Sequence, residues 1–198
     1  MRPIKEIRGT GLPLERSDVD TDQIIPSEWL KRVERTGFGA GLFEEWREDP
    51  DFVLNDPVYK NAKILVAGPN FGTGSSREHA VWALTDYGFE AVISPRFGDI
   101  FRNNSTKAGL VPIVLTQAEV DSITEQIKRD PATEIIVDVA ARTVSVPAAG
   151  LVASFPLDDF TQYRLLEGLD DIGLTLRSAQ EITDYESQRK SWLPAMAT

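Results

Sequence analysis

The amino-acid sequence predicts an α/β domain in which helices flank a central, mainly parallel sheet. Three observations support this prediction. Short apolar strand patterns alternate with helical patterns over residues 64–128, the connections between them are short, and 198 residues suit a single domain spanning residues 1–198. A hairpin pattern after residue 134 adds a smaller antiparallel sheet, and the chain from residue 158 onward is typical of a helical, loop-rich tail.

The strands can be justified in chain order. Residues 1–60 carry many turn signals and little periodicity, apart from a helical pattern that begins near Ser27. The strand patterns beyond this point are short apolar runs, which are typical of strands buried on both faces. They lie at residues 64–67, 91–94 and 111–115, and two further strands at 135–139 and 143–146 form a hairpin.

Apolar residues spaced three and four positions apart predict the helices between these strands. The helix at residues 76–87 ends at Gly88, and its apolar face consists of Ala80, Val81, Leu84 and Tyr87. A short helix is expected at residues 97–103. The helix at residues 117–128 is amphipathic, and its apolar positions are Val120, Ile123 and Ile127.

The composition limits the classes of function. A net charge of −10 and the lack of a basic stripe argue against nucleic acids and anionic membranes as partners. No run approaches the roughly 18 apolar residues of a membrane helix, and residues 1–6 contain no apolar signal region, so the expected location is the cytoplasm. Because the chain has no cysteine, it cannot ligate an iron–sulfur cluster through thiolates.

Residues 70–79, with the sequence NFGTGSSREH, are the candidate functional motif. They connect a buried strand to a helix, so a glycine-rich turn brings two hydroxyls and the Arg77 guanidinium to a helix N-terminus. Unpaired N–H groups and the helix dipole attract anions there, and a guanidinium can bind a carboxylate through two bonds. The motif therefore suits a small carboxylic acid. Neither the P-loop nor the dinucleotide glycine spacing is present.

Two structural alternatives accompany this hypothesis. Ser75 and Glu78 fit the capping-box pattern, which stabilises helices without any chemistry. Asp18, Asp20 and Asp22 begin like a calcium-binding loop, but glutamine and tryptophan occupy the positions where that loop needs glycine and glutamate. Local hydrogen bonding in a turn is therefore the expected role of these three carboxylates.

Ordered motifs along the chain resemble a known family. The run GSSREH at residues 74–79 is similar to the active-site loop of the swivelling domain in the aconitase superfamily. Further motifs, in the right order over about residues 10–180, resemble the small-subunit family of bacterial 3-isopropylmalate dehydratases. They are DVDTDQIIP at residues 18–26, RTGF at 35–38, FVLN at 52–55, ALTDYGF at 83–89 and DIGLTL at 171–176.

The resemblance implies a swivelling β/β/α domain and a hydro-lyase that interconverts 2-isopropylmalate and 3-isopropylmalate in leucine biosynthesis. In the superfamily, a [4Fe–4S] cluster polarises the leaving hydroxyl. This chain is expected to bind no cofactor, and the cluster is expected in a larger subunit with which it forms a heterodimer. The first serine of the motif is the base of the family, so Ser75 takes that role here, and Ser76 and Arg77 are its substrate-binding neighbours.

A second segment is expected to select the substrate. It resembles the family's specificity segment after the DQIIP turn. An isopropyl group needs an apolar wall, which Trp29 or Leu30 could supply, and two carboxylates need cations, which Arg32 or Arg35 could supply. Arg32 is the preferred of the two arginines. His79 lies inside the predicted helix, where a structural histidine is commoner than a catalytic one.

Other functions fit parts of the same pattern. A sister hydro-lyase acting on citraconate or citramalate, maleate or homoaconitate would differ in the specificity segment. A binding module without chemistry has no need of the intact Ser-Ser-Arg sequence at residues 75–77. A dinucleotide-dependent oxidoreductase would need the missing glycine spacing.

Overall fold

The computed structural model describes residues 1–32, 36–75, 77–190 and 192, and these residues form a seven-stranded sheet with helices on both faces. The strands are β1 (Glu6–Leu14), β2 (Ile64–Ala67), β3 (Ala91–Ser94), β4 (Val111–Val114), β5 (Glu134–Asp138), β6 (Thr143–Val146) and β7 (Leu151–Ser154). The helices are α1 (Thr21–Ile24), α2 (Glu78–Tyr87), α3 (Asp99–Ala108), α4 (Gln117–Arg129), α5 (Asp159–Glu167), α6 (Asp171–Leu176) and α7 (Ala179–Ser187).

The sheet has a parallel part and an antiparallel part that share β1. The strand order is β4-β3-β2-β1-β5-β6-β7. The second half of β1 pairs in parallel with β2, and its first half pairs antiparallel with β5. The predicted α/β class is confirmed, and the two predicted sheets are joined into one because a single long strand pairs on both of its sides.

The strand β1 was missed in the sequence because Gly9, Gly11 and Pro13 interrupt its apolar pattern. Proline is unusual in a central strand, since it cannot donate a ladder hydrogen bond. The ladder with β5 ends at Thr10, so Pro13 lies where β1 pairs with β2 alone, opposite Val66. The proline is therefore tolerated in a strand that is central in the sheet but pairs on one side only at that point.

The parallel strands are buried on both faces. Leu65 and Ala67 of β2 belong to a core shared with α2 and α3, whereas Ile64 and Val66 face a second core built with α4 and α5. This double burial explains the continuous apolar runs of these strands. In β5 the burial alternates along the strand instead, as in an antiparallel sheet with one buried face.

Several elements differ from the prediction. The helix after the motif begins at Glu78, two residues later than expected. The polar helix α3 runs on to Ala108, beyond its last buried residue at Ser105, so apolar spacing could not mark its end. The strand β7 was missed because only Ala153 is buried in it. The helical pattern near Ser27 is a 3-10 turn over Ser27–Lys31.

Polar caps fix several helix ends. Thr116 and Glu119 form a capping box at α4. Asp158 caps α5, and its hydrogen bonds to Thr161 hold the pKa of the Asp158 carboxyl below its ordinary value.

Across the part of the chain that the structure describes, no helix combines the length and the apolarity that crossing a membrane requires.

Candidate active site

The candidate site lies at the carboxyl edge of the parallel strands. β1, β2 and β3 end there at Leu14, Ala67 and Ser94, and the loops that follow them meet. The buried Ser94 hydroxyl lies 2.7 Å from the Gly68 carbonyl oxygen, to which it can donate, so the ends of β2 and β3 are tied together. Ligand sites in α/β sheets usually occupy this edge.

The first part of the motif is fastened to the segment after β1. The Asn70 side-chain amide donates to the Asp18 carboxylate at 2.6 Å, and the Asp18 amide donates to the Pro69 carbonyl at 2.8 Å. The Gly72 amide donates to the Val19 carbonyl at 2.7 Å. These bonds join segments that are about fifty residues apart in sequence and fix the path of the turn.

The second part is held by Thr21. Its amide donates to the Thr73 carbonyl at 2.9 Å, and its hydroxyl donates to the Ser75 carbonyl at 2.8 Å. Thr21 is almost fully buried, at 2% exposure. The backbone on both sides of Gly74 is therefore anchored to one rigid residue, which orients the peptide of Ser75.

The turn itself requires glycine. Gly72 and Gly74 have φ angles of +74° and +88°, in a region that other residues rarely adopt. A Cβ atom at Gly72 would also lie 2.2 Å from the Phe101 ring of α3. On the same side, the Gly98 amide donates to the Phe71 carbonyl at 2.9 Å. The loop is thus packed between the segment after β1 and the N-terminus of α3.

Ser75 is exposed and does not cap the helix. Arg77 occupies the N-cap position of α2, and its side chain makes no capping hydrogen bond. The capping-box alternative is therefore wrong, because the helix begins three residues after Ser75. Within the described residues, the hydrogen bond that Ser75 makes to Thr21 involves its carbonyl oxygen. Ser75 is exposed to solvent and lies three residues before the first residue of α2.

Arg77 lies next to an acidic partner. Its side chain is 16% exposed, and its Nη1 atom is 2.5 Å from the Oδ1 atom of Asp22. The Nη1 atom is buried, but the angle of this contact is outside hydrogen-bond geometry, so the contact is an ion pair. Asp22 is half exposed at 54%. The guanidinium is therefore held at the loop by a carboxylate that solvent reaches.

The three aspartates after β1 act as structural and pairing groups. Asp20 caps α1 and forms a capping box with Gln23, while Asp18 accepts from Asn70. Asp22 pairs with Arg77. Among the described residues, no cluster of histidine and acidic side chains could hold a metal ion. The prediction of local hydrogen bonding is confirmed for Asp20, whereas Asp18 and Asp22 make contacts to residues more than fifty positions away.

The proposed specificity segment is linked to α2 through aromatic rings. The Arg32 guanidinium stacks on the Trp29 ring at 4.0 Å, and the Trp29 indole donates to Glu44 at 2.6 Å. Trp29 packs closely over Gly41, where a Cβ atom would lie 2.4 Å from its ring. The Trp29 ring also lies 6.4 Å from Phe38, which packs against α2.

The remaining predicted residues lie in different surroundings. Leu30 is half-buried in the same 3-10 turn as Trp29. Ser76 and Arg35 lie outside the described residues. His79 packs between aromatic rings, 5.3 Å from Phe38 and 4.6 Å from Trp82, as expected of a structural histidine. The roles of the predicted site residues in binding and catalysis stay predictions.

Two residues of this arrangement were not among the predicted site residues. Thr21 and Asp22 belong to a motif that was weighed as a metal loop, and their contacts to Ser75 and Arg77 were not foreseen. Recognition of β1 in the sequence would have placed this motif directly after a strand and so at the same edge of the sheet as Ser75 and Arg77.

A surface cavity of about 670 Å³ lies elsewhere, between α3 and the segment before α5, and Arg102 and Arg142 line it.

The sheet order and the anchored turn at the start of α2 define the class of protein. Residues 1–118 match the family model described as the aconitase C-terminal domain, which is more than half of the chain. Residues 171–198 match the model for the C-terminal domain of the 3-isopropylmalate dehydratase small subunit. The chain therefore has the swivelling-domain fold of the aconitase superfamily.

Whole-chain relatives identify the family. The 3-isopropylmalate dehydratase small subunit of Parafrankia sp. is 66% identical over 96% of both chains, and that of Acidothermus cellulolyticus is 58% identical over 98% of both. The crystal structure of 3-isopropylmalate dehydratase from Methanocaldococcus jannaschii superposes with a TM-score of 0.67 at 25% identity, covering 91% of this chain and 99% of that one. The chain belongs to the family of 3-isopropylmalate dehydratase small subunits.

Proposed function

We propose that this chain supplies the base and a carboxylate-binding cation to a hydro-lyase site that is shared with a larger subunit. Its family consists of small subunits of 3-isopropylmalate dehydratase. The substrate we propose is isopropylmalate, a dicarboxylate with an apolar branch. The observation that carries the proposal is the anchored turn, which places the exposed Ser75 two residues before Arg77 and three residues before the start of α2.

Ser75 acts in this proposal as an alkoxide that removes the proton from a carbon beside a carboxylate. The electron pair left behind forms the double bond as hydroxide leaves the neighbouring carbon, and addition of water in the other sense gives the isomer. A serine alkoxide needs surrounding positive charge. The N-terminus of α2 and the Arg77 guanidinium both supply it.

Arg77 binds a substrate carboxylate in this proposal. Its guanidinium already pairs with the carboxylate of Asp22, so a carboxylate suits this position. Asp22 is half exposed, so the ion pair borders solvent, from which a substrate carboxylate would approach. Ser76 is the proposed neighbour in binding, by analogy with the family motif.

The metal-binding side chains that this chain offers bear on where the cluster is bound. The chain has no cysteine, and the residues the structure describes offer no metal-binding cluster, so this chain does not fit an iron–sulfur cluster. We therefore assign the [4Fe–4S] cluster to the larger subunit. We also propose that residues 1–198 act as one domain within the heterodimer and that the reaction takes place in the cytoplasm.

Substrate selection is assigned to the 3-10 turn after α1. Trp29 and Leu30 form the apolar wall, and Arg32, with Arg35 as the alternative, binds the second carboxylate. The contacts that support this are the stacking of Arg32 on Trp29 and the link from Trp29 through Phe38 to α2. A sister hydro-lyase would use the same Ser75 and differ in this turn.

The proposal is tested with Ser75→Ala in the complex with the larger subunit. We expect kcat to fall by about 10²–10⁴-fold, the usual contribution of a general base, while KM changes little. The stability of the chain should stay within about 0.5 kcal/mol of the wild type, because Ser75 is exposed and caps no helix.

Ser154→Ala is the matched control, since Ser154 is also exposed but lies on β7. It should leave both kcat and the melting temperature unchanged. Steady-state kinetics and thermal melts of the two variants are the measurements. A Ser75→Ala enzyme that turns over at the wild-type rate would overturn the assignment of Ser75 as the base.

A further inference from the structure

The two C-terminal helices leave apolar side chains uncovered. Neither α6 nor α7 contains a buried residue. Ile172 and Leu176 of α6 are 70% and 63% exposed, and Tyr185 of α7 is 70% exposed. We refer to α6 and α7 together as the C-terminal arm.

The exposed residues of the arm lie on defined helix faces. Ile172 and Leu176 are four positions apart, and Ile182 and Tyr185 are three positions apart, so each pair shares one face of its helix. Helices as short as these are not stable in water by themselves and usually depend on packing of their apolar face. Exposed apolar residues that share one helix face are the kind of group that can mark an interaction site.

Polar contacts hold the base of the arm against the rest of the chain. Asp171 pairs with Arg164 at 2.8 Å and with Lys107 at 3.6 Å. Arg177, just after α6, pairs with Glu167 at 2.8 Å. Polar residues thus fix the direction of α6, while its apolar residues point away from the body of the chain.

The arm begins beside the helix that carries the candidate site. Asp171 lines a surface cavity of about 230 Å³ together with Glu78, the first residue of α2. Arg77, the proposed carboxylate-binding cation, directly precedes Glu78. The base of the arm and the first residue of α2 therefore line one cavity, next to the candidate site.

The arm also coincides with a family-specific segment. The aconitase-type model ends at residue 118, whereas residues 171–198 match the model for the C-terminal domain of the small subunit. The arm is thus a separate addition found in a family of small subunits. We infer that the C-terminal arm docks on the larger subunit through Ile172, Leu176, Ile182 and Tyr185. This inference rests on the proposed function, which requires that subunit.

The test is the affinity of the full chain for the larger subunit, measured by calorimetry with the double variant Leu176→Asp/Tyr185→Asp. We expect the Kd to rise by at least about tenfold, because two apolar contacts are replaced by charges that resist burial. With the larger subunit in saturating amount, kcat should return to the wild-type value, because the arm lies outside the catalytic turn.

The matched control is Val152→Asp, which places the same charge on an apolar residue that is 75% exposed on β7. It should leave the Kd unchanged. Equal affinities of the wild type and the arm variant would overturn the inference. A large fall in the melting temperature of the double variant, measured without the larger subunit, would also overturn it. Such a fall would mean that the chain's own residues cover the apolar faces of the arm.

Self-association is a further outcome that would overturn the inference. Light scattering of the wild type alone would then report a dimer that the arm variant lacks. If the wild type binds no larger subunit at all, the proposed function itself fails. If the wild type and the arm variant bind it equally well, only the docking role of the arm fails, so the two failures are distinguishable.

Discussion

At the scale of single residues, the surroundings of a side chain distinguish a candidate for catalysis from a residue that packs in the structure. Ser75 and His79 are four positions apart in one motif, yet Ser75 is exposed and His79 lies between Phe38 and Trp82. The His79 imidazole therefore packs against two aromatic rings. Ser75, in contrast, is exposed in the loop at the carboxyl edge of the sheet.

Arg32 allows a prediction about substrate binding. Arg32→Gln removes the proposed cation for the second carboxylate, so KM for isopropylmalate should rise by about 10–100-fold, which is the range for one hydrogen bond to a charged group. Leu30→Arg should favour a substrate with a third carboxylate, since it replaces an apolar wall by a cation. The relative kcat/KM for isopropylmalate and a tricarboxylate is the measurement.

Arg16 provides the control for stacking. Its guanidinium lies 4.3 Å from the centre of the Trp46 ring, nearly as in the Arg32–Trp29 pair. Arg16→Gln therefore removes a similar cation–π contact in a separate cavity next to Asp49. It should leave the substrate preference unchanged. An equal change of KM in both variants would mean that Arg32 acts through stability and binds no carboxylate.

At the scale of elements, the segment after β1 holds the turn that carries the candidate base. Thr21 belongs to α1 but donates to the carbonyl of Ser75, and its amide bonds to Thr73. Four residues of α1 are too few to hold this geometry by themselves. The short helix is rigid because Asp20 and Gln23 form a capping box and because Ile24 is buried in the core.

Thr21→Val tests this positioning role. Valine keeps the volume of threonine but loses the hydroxyl, so the Ser75 peptide should shift and kcat should fall by up to about 10²-fold. Thr21→Ser retains the hydroxyl and should restore most of the rate. KM should change less than kcat in the valine variant. If the valine and serine variants have the same kcat, the bond to the Ser75 carbonyl does not position the base.

At the scale of the whole molecule, the proposed site is half of a site. Ser75 and Asp22 are open to solvent, and the chain carries no thiolate for a cluster. The base of the exposed C-terminal arm lines a cavity together with the first residue of α2. An exposed catalytic residue and an uncovered apolar face are both expected of a subunit whose surface is completed by another chain.

The isolated chain should therefore be folded and inactive. Its two cores are complete without a partner, so it should melt cooperatively. Activity on isopropylmalate should appear only after addition of the larger subunit, reconstituted with iron and sulfide under anaerobic conditions. Turnover by the pure small chain would contradict the shared site. The larger subunit alone is the control and should be inactive too.

Much of the fold and part of the site follow from the sequence. The strands at residues 64–67 and 91–94 are continuous apolar runs, and α4 carries its own capping box and apolar stripe. The motif around Ser75 carries the family resemblance, and that resemblance implies the reaction class and a separate cluster-bearing chain, which the lack of cysteine in this chain fits. These features depend on residues close in sequence, so local patterns suffice to predict them.

The tertiary structure alone decides how these parts meet. Glycines and a proline hide β1, yet it is the strand that joins both halves of the sheet. The bonds from Asn70 to Asp18 and from Thr21 to Ser75 span 52 and 54 residues. Such contacts depend on the order of strands in the sheet, which local periodicity does not encode. Tertiary packing likewise decides that Asp22 is the partner of Arg77. It also decides that α6 and α7 bury no residue, so the C-terminal arm is uncovered.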